Sequence, residues 1–380
     1  MSRPRILCIS LSPIERDARV LRQISVLAEY GDVVTVGYGD TPEGATEHVG
    51  VPGDLPSLPQ DPIGVLKLAT RRFRSAELSA PGIRFAKKAL TGRRFDLVVA
   101  NDARVLDLAF SVADGAPVWA DMHEWAPEER THVLSWRLLV APFMTHLCRA
   151  YLPRAAAVTT VGGRIAELYS SAFGVRPRVM RNAAPYATLE PQPVTPDSIR
   201  LVHSGAAVYG RNLELMIDAM QLLDDRFTLD LYLVSAADGG TYLNQLKERA
   251  AGDTRVRFRD PVKPNNLPRT LNSYDVGVFW IPPVHTNARY TLPNKLFDFV
   301  QARLAVAIGP SEEMVDVVTQ YELGVVSRDF TAESCADSLR SLTANAVTAF
   351  KAKTDAAARE LSFETEAQVA RSILAEALSR

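Results

Sequence analysis

Residues 6–36 read ILCISLSPIERDARVLRQISVLAEYGDVVTV, and this stretch decides the fold class. Residues 6–11 form a short apolar run suited to a buried strand. Ser12-Pro13-Ile14-Glu15 follows as a capping-box pattern with proline at the first helical position. Val20, Ile24, Leu27 and Ala28 then share one helical face, and Gly31 ends that helix before a second apolar run at 33–36. A strand, a helix and a strand in such quick succession make the repeating unit of a parallel sheet.

Working outward, the alternation continues with expected strands at 95–100, 117–120 and 157–161. Pro185, Pro191, Pro193 and Pro196 then interrupt regular structure, because proline fits neither a helix interior nor a central strand. A second series of strands is expected at 199–203, 229–234, 256–258, 276–280 and 305–308. The division this implies is a first domain at 1–185, a proline-rich linker at 186–198 and a second domain at 199–362. A last helix at 363–380 carries Val369, Ile373, Leu374, Ala377 and Leu378 on one stripe and is expected to cross back to the first domain. The fold class is α/β, two facing Rossmann-like doubly wound domains. Ligands of such sheets bind at the carboxyl ends of the strands, so a cleft between the domains is the expected place for a donor. The glycines, prolines and acids of 39–62 suggest a mobile surface excursion.

Bulk properties narrow the function. At 380 residues, 47% hydrophobic and 23% charged, the chain is long enough for two cores. A formal net charge of -1 argues against a general nucleic-acid binder. One region departs from that balance: 65–94 holds Lys67, Arg71, Arg72, Arg74, Arg84, Lys87, Lys88, Arg93 and Arg94 against a single acid, Glu77. Two readings stay open for it, a solvated helical face or a contact with anionic membrane lipid or an acceptor phosphate. Trp136, Leu138, Leu139, Val140, Phe143 and Met144 lie in 133–148 and read as core or as a contact for an acyl or aromatic acceptor. Cys8, Cys148 and Cys335 are too scattered for a metal site or a disulfide framework and suit buried thiols in a reducing compartment. The opening apolar stretch is too short for a signal peptide, and no run is long enough to span a bilayer. The expected location is cytoplasmic, with peripheral attachment to the inner membrane face open.

Motifs then choose among α/β functions. The Gly-x-Gly-x-x-Gly of dinucleotide binding is absent after the first strand, and 205–212 has two glycines without the Lys-Ser/Thr of a P-loop. That segment instead places Gly205 at a strand end and Arg211 before a helix, a setting that suits a diphosphate. At Leu292-Pro293-Asn294-Lys295-Leu296-Phe297-Asp298, proline opens a helix whose free N–H groups and Lys295 suit phosphate. Asp298, one turn on, can accept from the two hydroxyls of a ribose. Asp121-Met122-His123-Glu124-Trp125 ends the strand at 117–120, where a histidine is either structural or a catalytic group.

Taken in order, Arg16-Asp17-Ala18-Arg19-Val20, Asp121-Met122-His123-Glu124, Arg181-Asn182-Ala183, the 205–211 turn and the 293–298 helix resemble the family 4 retaining glycosyltransferases of the GT-B fold. The likeness covers nearly the whole chain. It implies Arg211 on the donor diphosphate, Asp298 on the ribose, and His123 near the transferred sugar. Gly205, Tyr290, Asn294 and Lys295 complete the donor contacts it implies. On the acceptor side it suggests Ser12, Arg16, Asp17, Glu124 and Trp125. Two positions depart from the family pattern: Tyr290 stands where members often carry a glutamate, and Ala206 where an arginine commonly follows the glycine. The implied chemistry is transfer from a nucleotide sugar, as co-substrate, to an acceptor hydroxyl with retention, without metal or other cofactor. Arg211, Lys295 and the helix start would stabilise the departing diphosphate. The acceptor is left open among glycans, lipid-linked and small molecules. A nucleotide-sugar epimerase and a non-catalytic nucleotide-sugar-binding subunit are the alternative readings.

Overall fold

The structure is a computed structural model and describes residues 3–236 and 238–379. Two compact units make up the chain. The first runs to Arg181 and takes in the residues from Glu366 on; the second is Asn182–Thr365.

Unit 1 holds a seven-stranded parallel sheet of β1 (Arg5–Pro13), β2 (Asp32–Tyr38), β3 (Glu47–Gly50), β4 (Leu97–Asn101), β5 (Val118–Met122), β6 (Ala157–Thr160) and β7 (Arg178–Val179). Their spatial order is β3-β2-β1-β4-β5-β6-β7. β1 pairs with β2 on one side and β4 on the other, so the strand order reverses there. The helix after β1 differs from its sequence reading. β1 continues to Pro13, a 3-10 turn covers Ile14–Arg16, and the helix is Ala18–Tyr30 with Asp17 as its N-cap, accepting from the Val20 amide. The Ser12 hydroxyl donates to Asp17 instead of capping, because pairing with β2 as far as Pro13 keeps this part of the chain extended. Gly31 closes the helix for steric reasons: a Cβ there would lie 2.3 Å from the Pro4 carbonyl oxygen. The 39–62 excursion contributes β3, paired with β2 from Val34 to Gly37. The final helix, Phe363–Leu378, buries Glu366, Ala367, Ala370, Ile373, Leu374 and Ala377. Arg371 forms an ion pair with Glu29, and Arg178 with Glu376, which ties this helix to unit 1. Arg380, the last position of the expected helix, lies outside the described residues.

Unit 2 holds β8 (Ile199–Ala207), β9 (Phe227–Ser235), β10 (Val256–Arg259), β11 (Val276–Phe279), β12 (Ala305–Ile308) and β13 (Gly324–Val326), all parallel, in the order β10-β9-β8-β11-β12-β13. The expected linker belongs to this unit. Buried Arg303 donates to the Ala187 carbonyl at 2.7 Å, Gln301 accepts from the Ala187 amide at 3.0 Å, and Tyr186 lies beneath the Arg303 and Arg359 guanidinium groups. Prolines there prevent regular structure, while these side chains fix the path. In the same core cluster that Tyr186 packs against, Gly277 of β11 admits the ring of Phe299; a Cβ would sit 2.3 Å from it. That close approach seats the helix Asn294–Gln301, which buries Leu296, Phe297, Phe299 and Val300 and leaves Lys295 and Asp298 partly exposed.

Candidate functional site

In unit 1 the carboxyl ends of β4 and β5 bring Asn101, Asp102, Asp121 and His123 together. Asp121, fully buried, is gripped by Arg19 through Nε at 2.9 Å and Nη2 at 2.7 Å, and it accepts from Thr159 at 2.6 Å and Gln23 at 3.3 Å. Burial alone would push this carboxyl up, but the Arg19 guanidinium and His123 outweigh it and hold Asp121 well below the usual carboxylate range. His123 Nε2 lies 3.0 Å from Asn101 Oδ1 and 3.4 Å from Asp121 Oδ2, and its Nδ1 lies 3.5 Å from Asp102 Oδ2. The Asn101 amide nitrogen donates to the Cys8 thiol, which leaves its oxygen for the imidazole. Burial opposes protonation of His123, yet Asp102 and Asp121 prevail and raise it to about 8. Asp102 has φ 72 and ψ 162, a region that costs about 1–3 kcal/mol for a residue other than glycine. Its amide donates to the Asp121 carbonyl and its carboxylate accepts from the His123 amide, so the end of β5 holds it there. Glu124 is pushed up to about 8 by burial and by Glu129 and Asp102, against His123 and Arg104. A concavity of about 840 Å3 in this unit lies at the amino ends of β1, β4 and β5, lined by residues such as Pro4, Asp96, Pro117 and Arg154, and does not include this cluster.

Unit 2 presents a different set toward the end of β8. Buried His203 donates through Nδ1 to the Val278 carbonyl at 2.8 Å, which leaves Nε2 as an acceptor. Burial lowers its basicity, Val278 opposes this, and the charges of Lys295 and Arg211 lower it further, to about 4. Gly205 follows. A Cβ on it would lie 3.3 Å from His203 Nε2 and 3.9 Å from Arg211 Nη1, so glycine keeps this small region clear. Arg211 is exposed and, among the described residues, hydrogen-bonds only to the Ala206 carbonyl, at 3.4 Å. Lys295 Nζ donates to Asp298 at 3.0 Å. No side chain caps the helix that they open. Ser204 Oγ and Ser311 Oγ are buried, and neither has a hydrogen-bond partner among the described residues.

No family model matches the sequence, and neither does any curated protein sequence. Several solved structures match over nearly their full length. HepE from Anabaena, in complex with UDP and glucose, superposes with a TM-score of 0.66 at 14% identity, covering 98% of this chain and 100% of HepE. A glycosyltransferase from Rickettsia africae gives 0.69 at 12% identity, covering 100% and 99%. Sucrose-phosphate synthase from Thermosynechococcus elongatus gives 0.69 at 13%, covering 98% and 100%. The chain has the GT-B fold.

Within the two Rossmann-like units of this GT-B chain, the sequence-expected residues separate into those the structure gathers and those it does not. Arg211, Lys295 and Gly205 gather around His203, and Asp298 joins them through Lys295. Asn294 opens its helix and is exposed. Tyr290 ends the short helix Thr286–Arg289 with the Arg289 guanidinium over its ring. In unit 1, His123 and Glu124 share the acidic cluster, whereas Ser12 and Asp17 bond to each other and Arg16 extends into solvent beside Glu15. Trp125 is buried, edge-on against Tyr169 and beside Phe173, so its ring serves the core. Sequence reasoning did not mark Arg19, Asn101, Asp102, His203 or Ser204 for these clusters. The available signal was position, since Asn101 and Asp102 end one apolar strand and His203 and Ser204 directly precede Gly205. Among the described residues no group of three or more His, Cys, Asp or Glu side chains is placed to hold a metal ion.

Proposed function

We propose that this GT-B chain is a glycosyltransferase that takes its sugar from a nucleoside diphosphate donor bound to unit 2. One observation carries the reading: Arg211 and Lys295 flank a neutral buried histidine, and Lys295 stands in the first turn of a helix that has no side-chain cap among the described residues. Such a set has positive charge and hydrogen bonds to offer and, among the described residues, Asp298 alone paired against them, which suits the diphosphate of a nucleotide sugar. HepE in complex with UDP and glucose supports that choice of ligand. Asp298 would exchange part of its bond to Lys295 for the ribose hydroxyls, freeing the ammonium for phosphate. Arg211 and Lys295 would then stabilise charge growing on the leaving diphosphate in place of a metal, while the acceptor hydroxyl attacks on the face it leaves and passes its proton to the departing diphosphate oxygen, so that configuration is retained. His123 takes an acceptor-side role: its imidazolium is stabilised by Asp102 and Asp121, Nε2 is held by Asn101, and Nδ1, 3.5 Å from Asp102, is the donor that would turn to a sugar hydroxyl.

The test is thermal stability of the full chain across nucleoside diphosphates and their sugars, starting with UDP. A ligand at about 100 times its Kd adds about 2.7 kcal/mol. Arg211→Ala is expected to weaken that ligand about 10- to 100-fold, the range for a hydrogen bond to a charged group, with little change in the unliganded protein. Transfer in the presence of a chelator, with the product's anomeric configuration read by NMR, examines metal independence and retention. A protein that no nucleotide stabilises, or whose stabilisation survives Arg211→Ala, would sink the assignment.

A further inference from the structure

The helix Pro62–Ala69 in unit 1 has the wrong outward face for a helix in water. Gly64 and Leu68 face inward and are buried. A Cβ on Gly64 would lie 2.7 Å from the Pro59 carbonyl oxygen, so the helix is pressed tightly onto the preceding chain. The opposite arc carries Ile63, Val65, Leu66 and Ala69, with Ile63 67% and Leu66 63% exposed. Only Lys67 and Thr70 are polar on that side, whereas a surface helix ordinarily turns its charged residues outward. The segment Trp136–Val140 packs beside it, and Arg71 Nη1 donates to the Leu138 carbonyl at 2.8 Å. Leu138 and Leu134 are more than half exposed and extend the apolar surface.

Charge surrounds these side chains. Of the nine basic residues at 65–94, only Arg93 is paired with a carboxylate among the described residues, Glu47 at 2.6 Å. The one acid of the segment, Glu77, is already bonded to His146 and Tyr151, each at 2.6 Å. Arg72, Arg74 and Arg137 are exposed and have no carboxylate partner among the described residues. Free cations near protruding aliphatic side chains match the two layers of an anionic bilayer surface, where headgroup phosphates meet the cations and acyl chains receive Ile63 and Leu66. A soluble anion would satisfy the charges and leave the aliphatic side chains in water.

We propose that Pro62–Ala69, the 71–74 segment and Trp136–Val140 form a docking face for anionic lipid bilayers. The proposal stands whether or not the chain transfers sugars. The experiment is co-sedimentation of the full chain with vesicles of phosphatidylcholine alone and of phosphatidylcholine with about one third phosphatidylglycerol. Binding is expected only to the anionic vesicles and should weaken as salt is raised. Ile63→Asp with Leu66→Asp should lower it at least about tenfold, and Arg72→Gln with Arg74→Gln and Arg137→Gln by about fivefold per cation removed. Melting temperature and circular dichroism verify folding of each variant, and Leu66→Ser provides a milder change if the double variant is unstable. Absence of vesicle binding at low salt, equal binding to both vesicle types, or binding that survives the aliphatic substitutions would overturn the proposal. So would concentration-dependent self-association in analytical ultracentrifugation that Leu66→Ser abolishes, since the face would then belong to a second copy of the chain.

Discussion

His123 directly follows β5 and His203 lies midway along β8, both on buried parallel sheets, yet their surroundings move them in opposite directions, to about 8 and about 4. Around His123 the chain supplies Asp102 and Asp121, and the acids' own needs are met by Arg19, Thr159, Gln23 and backbone amides. Around His203 it supplies Arg211 and Lys295, with a buried serine hydroxyl that has no partner among the described residues. The first cluster is internally satisfied and holds a strained backbone in place. The second leaves positive charge and a hydrogen-bond donor unspent. The same architecture thus carries one site built to keep its shape and one suited to receive an anion.

The largest way to break this contrast is to remove the anchor of the first cluster. Asp121→Ala would leave Arg19 buried without its carboxylate and free Thr159 and Gln23, at a cost of about 3–5 kcal/mol. The loss should fall on the transition of unit 1, read by fluorescence of Trp119, whose indole N–H donates to Thr159. Because the two units need not unfold together, the two transitions should be fitted separately. An unchanged unit 1 transition would show that Asp121 is not the keystone of this cluster.

A second, smaller effect follows from proton linkage. His123 is raised from 6.5, so its ion pairing contributes fully below that pH and is lost as pH rises through about 8, about 2 kcal/mol in all. Glu124, raised from 4.5 to about 8, acts in the same direction over its own range. His203 is lowered from 6.5. The unfolded chain therefore binds its proton first, and unit 2 loses about 3 kcal/mol as pH falls from 6.5 through about 4. Unit 1 should weaken toward alkaline pH and unit 2 toward acid. NMR titration of the imidazoles would measure both values directly, and two histidines titrating together near 6.5 would remove the distinction. Binding of a nucleoside diphosphate to Arg211 and Lys295 should raise the His203 value by cancelling the charge that depresses it.

Much of this architecture is legible in the sequence because strands buried on both faces read as apolar runs, and helix punctuation by proline and glycine separates them. Strand ends are less legible. Residues 204–207 in β8 remain in the strand by pairing with β9, and Ser10 and Ser12 lie in an irregular stretch of β1 between its paired residues Ile9 and Pro13; composition reports neither. Edge strands such as Glu47–Gly50 are too short and polar to stand out. His123, Arg211, Lys295 and Asp298 could be singled out because each lies beside a strand end or a helix start. Arg19 could not, since its partner Asp121 is 102 positions away and the pair exists only once β5 is laid near the first helix.

The smallest expected effect concerns Lys295 and Asp298, which bond to each other across one helical turn with side chains 27% and 14% exposed. A pair of this kind contributes about 0.2–0.5 kcal/mol, so Asp298→Ala should scarcely change the melting temperature. Its consequence should appear in ligand discrimination. If Asp298 accepts from ribose hydroxyls, the unmodified protein should favour a ribonucleoside diphosphate over its 2′-deoxy counterpart, because the deoxy ligand leaves a carboxylate lone pair unmet. Asp298→Ala removes the acceptor and should bring the two affinities together while Lys295, released from its partner, still binds phosphate. Calorimetric titration of both nucleotides against both proteins measures that difference. Equal discrimination in the two proteins would assign Asp298 to holding Lys295 alone, and the ribose would need another partner in unit 2.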